Sequence, residues 1–148
     1  MAQDKPRSQQ EREAGIARGQ RALLHRLLDG IDAGDTSVLD EVFHDDAVME
    51  WPASRERVVG AQARRAVYAH MPVLPKVTDR HIWGQGDIWV VEATLTYGDQ
   101  PFAAILVFQF RGDRIVKEVG YWAQPFTAPQ WRSAWVQELD PAHRSQVP

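Results

Sequence analysis

Glu118 is the side chain through which this sequence most directly reaches proton-transfer chemistry. In an extended stretch over residues 114–122 alternate positions share a face, so an inward Trp122 carries Gly120, Glu118 and Val116 inward with it. A carboxyl group held there loses water, its pKa rises, and it becomes suited to general acid or base work. The opposite register, or a bulge, would instead put Glu118 on the sheet surface beside an arginine. Asp79 and His81 form a second group, two apart on a strand and hence on one side, able to share a proton network and to act with Tyr68 as an acid–base set. A polar outer face is the alternative reading of that pair. Trp51, Trp83, Trp89 and Trp122, with Phe102, Leu106 and Phe108, can wall a flat apolar ligand site, although any single tryptophan also serves as core filler.

Other chemistries are excluded or unsupported. The 148 residues contain no cysteine, which removes disulfides and thiolate metal or redox sites. His44-Asp45-Asp46 offers metal-ligand types, but no His-x-His or His-Glu-x-x-His spacing accompanies them, so no metal and no cofactor are expected. Seventeen basic residues against 20 acidic ones, without a long run of either sign, give no footprint for nucleic acid or an anionic membrane. No apolar run approaches membrane-spanning length and residues 1–20 lack the apolar core of a signal peptide; a cytoplasmic location is the expectation.

The elements that must position these side chains follow from periodicity. Residues 1–8 are polar and expected to be disordered. From about Gln9, the spacing of Ile16, Leu23, Leu24, Leu27, Leu28 and Ile31 lays an apolar stripe along a long helix. Gly34 can stop that helix, and Asp35 can cap a short one carrying Val38, Leu39, Val42 and Phe43. After the polar break at 44–46, residues 47–51 read as a strand closed by Pro52, and residues 61–71 as a third helix halted before Pro72. Four strands follow, at 77–83, 88–97, 102–110 and 114–122, separated by glycine-containing turns, which predicts an antiparallel meander. Both faces of the second and third are partly apolar; helices cover one, and a second copy of the chain is expected on the other. Beyond residue 125 a short helix starting at Pro129 puts Trp131 and Trp135 on one side, read as a clasp onto the domain or, alternatively, as a lid or an arm onto a partner.

This order, with the phrases Glu50-Trp51-Pro52, Val58-Val59-Gly60, Asp87-Ile88-Trp89-Val90-Val91-Glu92 and Tyr121-Trp122-Ala123-Gln124-Pro125-Phe126, resembles the SnoaL-like and ketosteroid-isomerase-like members of the nuclear-transport-factor-2-like superfamily. The resemblance covers about residues 16–125. It implies an α+β cone in which a curved antiparallel sheet and three helices on its concave side enclose an apolar cavity. The chain is thus expected to divide into a disordered 1–8, a SnoaL-like domain at 9–125 and a C-terminal clasp with a short helix and a frayed end at 126–148. The ketosteroid isomerase machinery does not carry over. Trp51 stands where that enzyme has its catalytic aspartate, Leu27 where it has its oxyanion tyrosine, and Leu106 where it has its protonated aspartate. Only Tyr68 matches a pocket tyrosine. The resemblance and the residues together point to a cofactor-independent cyclase, isomerase or lyase acting on a small hydrophobic cyclic molecule, or to a non-catalytic binder using the same cavity, in either case a homodimer. The candidate catalytic residues are Glu118, Tyr68, His81 and Asp79; the candidate ligand contacts are Trp51, Trp83, Trp89, Leu106, Phe108 and Trp122.

Overall fold

The structure, a computed structural model, describes residues 8–140. The expected disorder of 1–8 thus lies outside the described residues except at Ser8, as does the chain end from residue 141. Ser8 opens helix α1 (Gln9–Asp32) with a reciprocal cap: its hydroxyl accepts from the Glu11 amide at 3.2 Å, and the Glu11 carboxylate accepts from the Ser8 amide at 2.7 Å. Leu24, Leu27, Leu28 and Ile31 bury the stripe expected of this helix. Gly34, at φ +76°, ends it. The Asp35 carboxylate accepts from the Ser37 amide at 3.1 Å, and α2 (Val38–Val42) follows. Gly30 lets the two helices meet, since a Cβ there would lie 2.6 Å from Val38.

The sheet runs in the order β2-β1-β6-β5-β4-β3, with β1 Phe43–Trp51, β2 Glu56–Val59, β3 Lys76–Gln85, β4 Ile88–Tyr97, β5 Gln100–Arg111 and β6 Arg114–Ala123; α3 (Gly60–His70) links β2 to β3. Strands β3 to β6 form the expected antiparallel meander. The sheet as a whole is mixed, however, because β1 lies parallel to β6. No hairpin joins those two strands, so nothing in their connection forces them antiparallel. Two further differences concern β1 and β2. The polar run 44–46 is part of β1, not a break before it: a register shift between Phe43 and Val48 keeps these residues in the sheet while Asp46 turns outward to Arg111 at 3.0 Å. Short β2, with only Val58 buried, was too weakly patterned to be anticipated.

Register fixes the two faces. On the inner face Met49, Glu118, Phe108 and Trp89 lie in one cross-strand row, and Gly120, Leu106 and Val91 in the next. The helices pack on this side. The outer face carries Tyr121, Ile105, Glu92 and His81 in one row and Val119, Val107, Val90 and Trp83 in another. After β6 the chain runs to a 3-10 turn, Gln130–Trp135. Trp131 and Trp135 are 73% and 82% exposed, so a clasp onto the chain's own body is not formed. Among the described residues no helix is long and apolar enough to cross a membrane.

Candidate functional site

The inner face and the helices enclose a cavity of about 670 Å³. Its walls are apolar: Leu27, Leu28 and Ile31 from α1, Val67 from α3, Phe43 and Trp51 from β1, and Leu106 and Trp122 from β5 and β6. Trp51 and Trp122 meet edge to face at 5.9 Å. Gly120 makes that meeting possible, because a Cβ at this position would lie 2.9 Å from the Trp122 ring and 3.3 Å from Trp51. Phe102, Leu95 and the segment 71–75 add to these walls, exposed Ser54, Glu56, His70 and Gln100 also line the cavity, and Glu118, Tyr68 and Tyr97 supply its less exposed polar groups.

Glu118 is 6% exposed, and its Oε2 has no hydrogen-bond partner. Burial pushes its carboxyl up to about 7, against the opposing pull of the Arg64 guanidinium. Tyr68 and Tyr97 are both pushed above the ordinary phenol range, first by burial and then by the charge of Glu118. They therefore remain protonated donors across the whole range in which Glu118 changes state. Besides the exposed Ser54, Glu56, His70 and Gln100, the cavity thus offers one carboxyl that is half ionised near neutrality and two phenols.

Arg64, whose charge acts on Glu118, is a residue beside the cavity that sequence reasoning missed. It is fully buried on α3, one turn before Tyr68, with its guanidinium 4.9 Å from the centre of the Phe43 ring, whose side chain lines the cavity. Its Nη2 donates to the His44 carbonyl at 3.4 Å, while Nε and Nη1 have no partner. Burial lowers its pKa. The available signal was helical spacing, since residues 64 and 68 share a face, but arginine is so seldom buried that the position reads as solvent. Tyr97 was also missed, although alternation from Trp89 and Leu95 places it on the cavity face.

The structure brings together five of the ten residues singled out from the sequence: Glu118, Tyr68, Trp51, Leu106 and Trp122. The other five lie elsewhere. Asp79, at φ +51°, sits in a bulge of β3 and accepts from the Thr94 hydroxyl at 3.1 Å. His81 stands opposite Glu92 on the outer face, its ring 4.9 Å from that of Trp83. The bulge and the strand register direct this group away from Tyr68, so the three residues form no acid–base set. Trp83 is 39% exposed on the same outer face. Trp89 and Phe108 share the inner row of Glu118 but are core: Trp89 donates its indole N–H to Gln20 at 3.0 Å and lies under Arg21, and Phe108 is fully buried. Gly84 gives Trp89 its space, as a Cβ there would approach the indole to 2.4 Å. Among the described residues no group of three or more histidine, aspartate or glutamate side chains is arranged to hold a metal.

A cone of three helices against a curved six-stranded sheet, closed around an apolar cavity, defines a nuclear-transport-factor-2-like protein. Residues 24–118 match the SnoaL-like domain family, and the chain belongs to that family. Among solved structures it is similar to an NTF2-like protein of unknown function from Burkholderia xenovorans LB400, with 32% identity, coverage of 84% of this chain and 98% of that one, and a TM-score of 0.76. A candidate ketosteroid isomerase from Kribbella flavida DSM 17836 shares 18% identity over 83% of this chain and 91% of its own, at a TM-score of 0.73. An LEH-like epoxide hydrolase from M. tuberculosis shares 22% over 74% and 85%, at 0.62. The last two likenesses bear on fold alone. No curated protein matches by sequence.

Proposed function

We propose that this protein is a cofactor-independent enzyme, an isomerase, cyclase or lyase, that binds a small hydrophobic cyclic substrate in the cavity and uses Glu118 as its general base and acid. The observation that carries the reading is the buried carboxyl with a partnerless oxygen in a mainly apolar wall, poised at about 7. At that value it accepts a proton from an acidified C–H and returns it at the same pH. In the isomerase case the C–H electron pair moves into an enolate, the phenols of Tyr68 and Tyr97 donate to the developing oxyanion, and the proton held by Glu118 is delivered to a second carbon. The relatives with isomerase and hydrolase descriptions support the class of chemistry through fold. Trp51, Leu27 and Leu106 all line the cavity, so the ketosteroid isomerase positions are filled by wall, and the acid must come from β6 instead.

The test is native mass spectrometry of freshly purified protein for a retained small molecule, followed by incubation to detect its conversion. Glu118→Gln should abolish turnover and leave ligand affinity nearly intact. Full turnover in that variant would sink the assignment. Retention of a ligand that neither protein converts would favour the second reading, a non-catalytic binder, which the wholly apolar replacement of those three positions supports.

The exposed outer-face side chains Ile88, Ile105 and Tyr121 support pairing of two copies through the convex side of the sheet. Light scattering after gel filtration tests this, and a strictly monomeric species at micromolar concentration would refute it.

A further inference from the structure

The polar groups that line the cavity are sorted by depth and by hydrogen-bonding sense. At the inner end Tyr68 and Tyr97 both feel the charge of Glu118 and stay protonated, so each presents an O–H donor there. The exposed members of the lining, Ser54, Glu56, His70 and Gln100, mark the mouth. What they offer is mainly acceptor. The Glu56 carboxylate has acceptor oxygens only. His70 donates through Nδ1 to the Ala66 carbonyl at 2.7 Å, which leaves Nε2 of the neutral ring as an acceptor. The Ser54 hydroxyl donates to the Trp51 carbonyl at 3.3 Å and the Gln100 amide to Asp99 at 3.3 Å, so the side-chain oxygens of both remain open to a donor.

Charge is sorted as well. Among the described residues that line the cavity none is lysine or arginine, whereas Glu56 and Glu118 are both acids. Arg64 packs on the Phe43 ring and is not part of the lining. A carboxylate or phosphate on a ligand would therefore meet like charge at either end and find no cation to pair with.

We propose that the ligand of this cavity is a non-anionic ring compound with a carbonyl at its inner end and a hydrogen-bond donor, a hydroxyl or an ammonium group, at its outer end, and that Glu56 and His70 select it. This ligand class rests on the reading of the cavity as a substrate site, though not on conversion by Glu118. The carbonyl accepts from the phenols, the ring fills the apolar space between Trp51, Val67 and Leu106, and the donor meets the acceptors of the mouth. Turned end for end, the same molecule would face those acceptors with its carbonyl and leave them unpaired. The mouth thus fixes direction, and the direction it fixes puts the carbons next to the carbonyl on the side of Glu118.

The probes are a tetrahydrophenanthrenone and four derivatives carrying hydroxyl, aminomethyl, methoxy or carboxylate at the ring carbon farthest from the ketone. Each is titrated calorimetrically into the full-length protein at about pH 8, where histidine is neutral and the amine is charged. The hydroxyl and aminomethyl compounds should bind about three- to tenfold more tightly than the methoxy compound, which keeps the size and the acceptor but lacks the donor. The tighter of the two identifies the donor. The carboxylate should be the weakest, by about tenfold or more against the aminomethyl compound. Glu56→Lys, at an exposed position and with the fold checked by circular dichroism, should reverse the order of those last two. Equal affinities for hydroxyl and methoxy, or for aminomethyl and carboxylate, overturn the proposal and leave the cavity reading intact. An aminomethyl preference undiminished in Glu56→Lys overturns it too, because the amine would then be seated at Glu118. If none of the five probes binds, the proposal and the cavity reading fail together, whereas the expected order without any conversion upholds the proposal and counts only against catalysis.

Discussion

Replacing Glu118 by glutamine should change the pH dependence of stability in a way that needs no substrate to observe. In the folded protein the carboxyl gives up its proton near pH 7, whereas in the unfolded chain it does so near 4.5. Between these values the folded state binds more protons than the unfolded one, so stability falls as pH rises. The stability associated with the neutral carboxyl is fully present below pH 4.5 and is lost as pH passes through about 7, for a total of about 3 kcal/mol. Glutamine cannot ionise and has nearly the same shape. At pH 5 the two proteins should therefore unfold within about 1 kcal/mol of each other, and at pH 8.5 the Glu118→Gln protein should be more stable by up to about 3 kcal/mol. Urea titrations read this as a midpoint difference that grows to roughly 1 to 2 M. Asp46 and Glu50, held low by their hydrogen bonds to Arg111 and Lys117, titrate alike in both proteins and cancel in the difference. Parallel stability curves from pH 5 to 8.5 would refute the argument, because they would mean that Glu118 is as ionised when folded as when unfolded.

Four further outcomes are expected. Arg64→Met should move the ionisation of Glu118 to higher pH, read from its ¹³C carboxyl resonance, since the guanidinium is the group that holds it down; Arg64→Lys should restore most of the difference. Gly120→Val should cost about 1 to 3 kcal/mol of stability in thermal unfolding and weaken ligand binding, because the new side chain drives Trp122 and Trp51 into the cavity. Trp89→Phe should cost about 1 to 3 kcal/mol in urea unfolding by leaving the buried Gln20 amide oxygen unpaired, yet leave ligand affinity unchanged, as Trp89 does not line the cavity. Ser8→Ala should remove the α1 cap at about 1 kcal/mol, measurable as faster amide exchange over the first turn.

Most of the fold was legible because its signals are local. The α1 stripe, the glycine stop at Gly34 and the three glycine turns of the meander each sit within a few residues of the element they define. What escaped depends on partners distant in sequence. The polar start of β1 is a strand only because β6, about 70 residues later, lies alongside it, and β2 exists only as an edge on β1. The site divides in the same way. Alternation from Trp122 places Glu118 correctly on the inner face, but alternation alone could not separate Trp89, bonded to Gln20 of α1, and the fully buried Phe108 from Leu106, which borders open space on the same face. Asp79 and His81 failed for a different reason: a bulge between Thr78 and His81 breaks the parity that their spacing assumes.

The ionisation of Glu118 is set by its neighbours on the sheet and by one cation from a helix. In the row Met49, Glu118, Phe108 and Trp89 it is flanked on both sides by apolar neighbours, so nothing on the sheet itself compensates its charge. Compensation comes from Arg64 on α3, which is likewise fully buried and has two donors without partners. Each group alone would be an isolated buried charge, costly enough to be neutralised. Placed near each other but outside ion-pair contact, they leave the carboxyl intermediate, neither locked as a salt bridge nor permanently protonated. A general acid–base group needs that condition, since a tight ion pair would hold the proton affinity too low to take a proton from carbon and full isolation would hold it too high to release one. The gap between Glu118 and Arg64 is on this argument as important to the chemistry as either side chain. Moving the charge closer, by any substitution that lets a cation reach Glu118 directly, should bind the carboxylate, lower its pKa and slow the proposed reaction.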